Sequence, residues 1–401
     1  MPVCRGRRSR VVENVENSAE FKFSPEQAQL RTAVRKFCAE NFDEQTVRTL
    51  MESEPRFDPN VWARLGAELG VLGLAVPDAD GGAGGTLVDQ AIAVEELGAA
   101  LACGPLFGTV LLAIPALVAA SAGPVRDELL GALTEGTRTA AFAVPDRAGA
   151  FDPAAVNVTV SANGTLTGTV ERVVDGGAAD ALLVAASGPD GVALYAVDAT
   201  GPGVQRTPLV TLDLTRPQAT IALTDTPAQL VAGPDEADRV ITHAFLVASA
   251  LLAAEQVGAA QHLLDLSVEY AKSRLQFGRL IGSFQAVKHR LADCLVDLEH
   301  ARSAAYHAVW ALTDGTDDPA LAASIAQATA SAAFAKVAAD TIQVHGGIGF
   351  TWEHQAHLYF KRAVTDAALL GSAEAHRSRV AELVLDEATA ERAPQVATGT
   401  H

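Results

Sequence analysis

Arg274-Leu-Gln-Phe-Gly278, followed by Ser283-Phe-Gln-Ala-Val-Lys-His289, lies between two long helical stretches, and Gln343-Val-His-Gly-Gly-Ile-Gly-Phe350 closes a third. Together they place glycines, an arginine, an aromatic ring and glutamine amides at helix ends. That inventory suits a large, flat, anionic cofactor: guanidinium pairs with phosphate in a bidentate way, and glycine lets backbone amides approach closely.

The helical third around these motifs reads as residues 233–387. Asp238 to Ser273 is apolar and uninterrupted, enough for one helix of about 50 Å. Phe284, Val287, Leu291, Leu295 and Leu298 set an apolar stripe on the next helix. Pro319 to Val344 makes a third helix and His354 to Leu370 a fourth. Long amphipathic helices with short connections predict an antiparallel four-helix bundle. Upstream, residues 139–232 change texture. Short apolar runs such as Ala181-Leu-Leu-Val184 and Val192-Ala-Leu-Tyr-Ala-Val197, with Asn163-Gly164 as a hairpin turn, predict a small sandwich or barrel. Residues 21–138 are helical again, opening on the cap Ser24-Pro25-Glu26. The expected class is α+β multidomain: N-terminal helical domain, central β domain, C-terminal bundle. Residues 1–20 read as a leader and 388–401 as a tail.

The composition of the 401-residue chain narrows the function classes. Its net charge of −18 opposes a nucleic-acid partner, since basic residues cluster only at Arg5, Arg7, Arg8 and Arg10. Those arginines precede no apolar run, so they do not form a secretory signal. No uninterrupted apolar stretch is long enough to span a bilayer. Cys4, Cys38, Cys103 and Cys294 lack metal-ligand spacing and fit a reducing cytoplasm. His354 and His357 stand one helical turn apart, but no third ligand follows, and no metal is expected.

The layout and motifs resemble the acyl-CoA dehydrogenase family from about Phe21 to about Ala381. The resemblance rests on Arg274-x-Gln-Phe-Gly with Phe284-Gln285 and on Gln343-x-x-Gly-Gly-Ile-Gly. Glu68-Leu-Gly-Val-Leu-Gly-Leu-Ala-Val-Pro77, Gly81-Gly-Ala-Gly84 and Glu95-Glu-Leu-Gly98 add to it. It implies FAD between the β domain and the bundle, at a subunit interface. Arg274, Gln276 and Phe277 would contact the FAD of one subunit, with Gln285 nearby. Gln343, Gly346 and Gly347 would contact the FAD of the facing subunit. It further implies an acyl-CoA substrate, an electron-transferring flavoprotein as acceptor, and a homo- or hetero-oligomer, dimer or tetramer.

Two departures concern catalysis. The family reaction moves a proton from Cα to a carboxylate base and a hydride from Cβ to the flavin. The usual glutamate position, downstream of Gly346-Gly347, is Leu370 here. The position used by a minority, on the first bundle helix, is Ala248. Neither side chain accepts a proton. Glu255, two turns after Ala248 in the apolar run from Ala248 to Ala260, is the candidate base, because desolvation there would raise its pKa. The alternative is a structural carboxylate bonded to a nearby Arg or amide. Asp366, one turn before Leu370, is a further candidate. The β domain departs as well: Ala143-Val-Pro-Asp-Arg-Ala-Gly-Ala150 stands for the family's Thr-Glu-Pro-like loop, and Arg172-Val-Val-Asp175 for its Trp-Ile-Thr-like strand. Two expectations follow. One is an FAD-dependent dehydrogenase that oxidises an acyl-CoA to the 2-enoyl-CoA with a relocated base. The other is a base-lacking subunit of a heteromeric dehydrogenase that completes its partner's FAD site.

Overall fold

The N-terminal cap forms as its residue types dictate. In a computed structural model describing residues 23–315 and 317–392, the Ser24 hydroxyl accepts from Gln27 N at 3.2 Å. The Gln27 side chain accepts in turn from Ser24 N at 3.0 Å. This reciprocal box, with Pro25 in the first turn, starts α1 (Pro25–Asn41). The leader 1–20, Cys4 and the tail from 393 lie outside the described residues. The N-terminal layer continues with α2 (Glu44–Leu50), α3 (Pro59–Ala67), α4 (Leu87–Ala99), a π-helical stretch Leu106–Ala113 running into α5 (Ile114–Ala119), and α6 (Pro124–Thr134).

The β region is one mixed sheet. Its strands are β1 (Ala140–Ala143), β4 (Thr159–Val160), β5 (Thr165–Val174), β6 (Ala181–Gly188), β7 (Gly191–Asp198), β8 (Val204–Pro208), β9 (Gln218–Pro227) and β10 (Gln229–Ala232). Pairing runs β10-β7-β6-β4-β5-β9-β8, with β1 parallel on β6. The small hairpin β2 (Asp146–Arg147) and β3 (Ala150–Phe151) stands apart. Alternate residues of β1, β5, β6, β7 and β9, among them Ala141, Leu166, Leu182, Val184, Val197 and Ile221, enclose a separate core within the sheet. Strand alternation sends their neighbours to the main core shared with the helices.

The bundle consists of α7 (Ala237–Ser273), α8 (Gln285–Asp314), α9 (Pro319–His345), the short α10 (Ala356–Asp366) and α11 (Ala373–Arg392). By length and composition α7 could cross a membrane, yet 83% of its most apolar window is buried inside the protein. It is the central core strut, touching the N-terminal helices, the other bundle helices and the β3 strand. Two details differ from expectation. Leu295, part of the expected buried stripe on α8, is exposed. Helix α11 was not anticipated; it packs on α9 and runs through Arg392, into the stretch read as tail.

Candidate active site

A cavity of about 840 Å³ opens between the sheet and α10. Its walls come from three segments: β1 and its extension (Phe142, Val144, Pro145), β5 (Thr169 to Val173), and α10 with its exit (Val364, Thr365, Ala368, Leu369). Leu212, in the β8–β9 connection, also lines it, with Asn157, Ala185 and Gln218 among the others. Both β segments that depart from family pattern in sequence therefore face this space. It is flat-sided, with a sheet on one side and a helix on the other.

Behind the cavity lies a buried ionic network. Arg362 on α10 donates from Nε to Asp213 at 2.6 Å and from Nη1 to Glu255 Oε1 at 2.6 Å. Its Nη2 donates to the Thr215 carbonyl at 3.1 Å and hydroxyl at 2.5 Å. Arg216 also donates to Glu255 Oε1. It lies 3.5 Å from Asp366 and 5.2 Å over the Phe107 ring. Asp175, at the end of β5, accepts from Gly108 N at 2.9 Å. The network's charged side chains are all buried. Three carboxylates, Asp213, Glu255 and Asp366, thus share two guanidiniums. Burial pushes Asp366 up to about 7, with Arg216 and Arg362 opposing and Glu255 and Asp213 adding to the rise. Burial likewise lifts Asp175 to about 6. For Asp213, burial acts against ionisation, but Arg362, Thr215 and Arg216 outweigh it and hold the pKa below the ordinary value.

The sequence-selected candidates fall into two groups. Glu255 sits in the middle of α7, and its surroundings are guanidinium groups rather than the aliphatic side chains expected from its flanking residues. Its Oε2 has no hydrogen-bond partner among the described residues. Leu370, the usual base position, is 4% exposed and adopts φ 53°. Its carbonyl is held by His376 Nε2 at 2.7 Å. The tip of the β2–β3 hairpin presses on it, since a Cβ on Gly149 would collide with the Leu370 carbonyl and one on Gly371 would lie 2.6 Å from Ala148. Ala248 is fully buried.

The cofactor motifs gather elsewhere. Arg274, Gln276, Phe277, Gln285, Gln343, Gly346 and Gly347 are all exposed at one end of the bundle, about 28 Å along α7 from Glu255. The ends of α7 and α9 are joined there by Tyr270 stacked on His345, centroids 4.4 Å apart. The segment after α7 is a hairpin, β11 (Leu275–Gln276) on β12 (Arg279–Leu280). Its turn residues Phe277 and Gly278 have φ 52° and 76°, the left-handed pair such two-residue turns require. Glycine adopts this at no steric cost, whereas Phe277 does not, and its ring is 91% exposed. The sequence reading missed Asp175, Asp213, Arg216 and Arg362. The available signals were weak: Arg362 one turn before Asp366, and Asp213-x-Thr215 forming an Asx turn ahead of Arg216.

Comparison with known proteins agrees with this geometry. Residues 24–137 match the acyl-CoA dehydrogenase N-terminal domain and residues 239–385 its C-terminal domain. The chain belongs to the acyl-CoA dehydrogenase family. It is 37% identical over 348 residues to acyl-CoA dehydrogenase IpdE2 of Mycolicibacterium smegmatis, covering 87% of this chain and 95% of the relative. Against the IpdE2 of Mycobacterium tuberculosis the figures are 40% over 349 residues, 87% and 94%. Among solved structures, the ChsE4–ChsE5 complex from Mycobacterium tuberculosis superposes with a TM-score of 0.82 at 30% identity, covering 91% of this chain and 99% of that one. A variant of the Tcur3481–Tcur3483 steroid ACAD gives 0.81 at 33%, with 91% and 99% coverage.

As a member of this family the chain is an FAD-dependent oxidoreductase of the class acting on CH–CH bonds. The residues present fit the cofactor. The cavity has the flat sheet-and-helix walls an isoalloxazine ring needs, and β5 offers backbone groups without demanding particular side chains. A guanidinium, glutamine amides and glycines with no atom near a would-be Cβ stand exposed at the bundle end.

Proposed function

We propose that this chain is the flavin-holding, base-free subunit of a two-chain acyl-CoA dehydrogenase that converts an acyl-CoA to its 2-enoyl-CoA. The observation carrying this reading is the state of its carboxylates. Leu370 and Ala248 are buried apolar residues; of the two buried acids near them in sequence, Glu255 already accepts from two arginines and Asp366 lies 3.5 Å from Arg216. A proton acceptor drawn from a second chain answers that deficit. The two-chain ChsE4–ChsE5 complex and the Tcur3481–Tcur3483 steroid ACAD support the assembly, and the latter makes a polycyclic acyl-CoA the first substrate to test. Arg274, Gln276, Phe277 and Gln285 would hold FAD on one side of the interface, and Gln343, Gly346 and Gly347 on the other. When bound, FAD supplies the hydride acceptor. This chain's part is to bind and orient it, and an electron-transferring flavoprotein would reoxidise it.

The test is expression alone and together with a Glu-bearing family chain, reading flavin absorbance, assembly mass and turnover. The expected result is weak flavin retention and no turnover alone, with both restored in the pair. A yellow, active homo-oligomer of this chain overturns the proposal. One observation favours a second reading, in which Glu255 is the chain's own base: its unpartnered, buried Oε2.

A further inference from the structure

We infer that Arg362 is a positioning residue for the flavin cavity, setting the relation of its walls rather than the stability of the fold. The inference rests on the flavin reading of that cavity. Three of the wall segments, β5, the β8–β9 connection and α10, lie beside a member of the ionic network. Val173 lines the cavity, and Asp175 follows on the same strand end. Leu212 lines it, and Asp213 is the next residue. Val364 and Thr365 line it, flanked by Arg362 and Asp366. The cavity walls are therefore faced on one side by the ligand space and anchored on the other by buried charge.

Arg362 joins these anchors. Its Nε, Nη1 and Nη2 bond the β8–β9 connection at Asp213 and Thr215 and the α7 strut at Glu255. A planar fork fixes distance and angle at once, which the point charge of a lysine does not. Buried ion networks of this kind add little net stability over apolar packing of the same volume. What they confer here is one fixed placement of the β8–β9 connection, the α7 strut and α10.

A second network, partly buried, provides a control. Glu95 accepts from Arg31 at 2.9 Å, from Tyr306 at 2.6 Å and from Arg302. It lines a different cavity, between α1, α4 and α7, and touches no flavin-facing wall.

The experiment compares Arg362→Lys with Arg302→Lys in the assembly that carries flavin, the chain alone or the pair. FAD affinity is measured by titrating the apoprotein, and hydrogen–deuterium exchange is followed by peptide. Arg362→Lys is expected to weaken FAD by roughly tenfold or more and to speed exchange selectively in residues 209–217 and 364–369. Arg302→Lys should leave both as in the wild type, even at a similar loss of Tm. Wild-type FAD affinity and exchange in Arg362→Lys overturn the inference, as do equal effects from both variants. If Arg362→Lys does not fold, Asp213→Asn weakens the same link, and unchanged FAD affinity and exchange there are equally decisive. The exchange arm does not depend on flavin. Failure of the wild type to take up FAD would count against the cavity reading, while local exchange would still decide the role of Arg362.

Discussion

Glu255 and Asp366 face the same two arginines with different consequences. Glu255 Oε1 accepts from both guanidiniums. In the two-chain reading, Glu255→Gln loosens the network without removing a base. The pair should then keep turnover with FAD bound, while urea denaturation shows a loss of roughly 3–5 kcal/mol from breaking a buried ion pair. Loss of turnover with flavin retained would instead make Glu255 the base. Asp366 is fully buried, and its charged neighbours are Arg216, Arg362, Glu255 and Asp213. With the pKa lifted from 3.8 to about 7, the native state holds a proton that the unfolded chain releases at lower pH. Stability contributed by that proton is present at low pH and lost as pH rises through about 7. Asp175, lifted to about 6, acts with the same sign. Asp366→Asn should therefore have a higher Tm than wild type above about pH 7, an advantage that shrinks progressively as pH falls from about 7 to about 4. An unchanged difference across that range would remove Asp366 as the titrating group.

Helix pairing depends on two glycines that meet where α4 crosses α7. A Cβ on Gly258 would collide with the Glu95 carbonyl oxygen, and one on Gly98 with the Glu255 carbonyl oxygen. Backbone cannot yield as a flexible side chain can. Gly258→Ala should thus cost about 1–3 kcal/mol or more by overpacking, measured by chemical denaturation; a neutral result would mean that the two helices can part freely. The same scale shows what the sequence makes legible. Helices α7 and α9 could be read because long apolar periodicity survives any local detail. Strands β6, β7 and β9 could be read as short apolar runs between turn residues. The β11–β12 hairpin is too short to carry a period, so Phe277–Gly278 looked like a helix end. Helix α11 is polar and carries no long apolar run to mark it; it packs on α9. The cofactor motifs are contiguous in sequence and were found as motifs. The ionic network joins Asp175, Asp213, Arg216, Glu255, Arg362 and Asp366, which only tertiary folding brings together. For that reason Glu255 looked like an acid in apolar surroundings.

The whole molecule leaves its cofactor-motif end uncovered. Phe277 is 91% exposed, Phe350 82% and Trp352 60%, with Leu275, Leu280 and Ile348 also open, on the segments that follow α7 and α9. A cluster of large apolar side chains at one end of a bundle is characteristic of an association surface. The exposed Arg274, Gln276 and Gln343 lie within it, so the proposed FAD grip and the proposed subunit contact occupy the same surface. Phe350→Asp places a charge in that surface without altering the cavity walls or the ionic network. The expected outcome, by mass measurement and flavin absorbance on the same sample, is a smaller assembly that has also lost its FAD. The two losses must occur together if the bundle end of one chain holds the flavin of another. Dissociation with FAD retained would place the whole grip within a single chain. An intact assembly without FAD would separate the contact surface from the cofactor site.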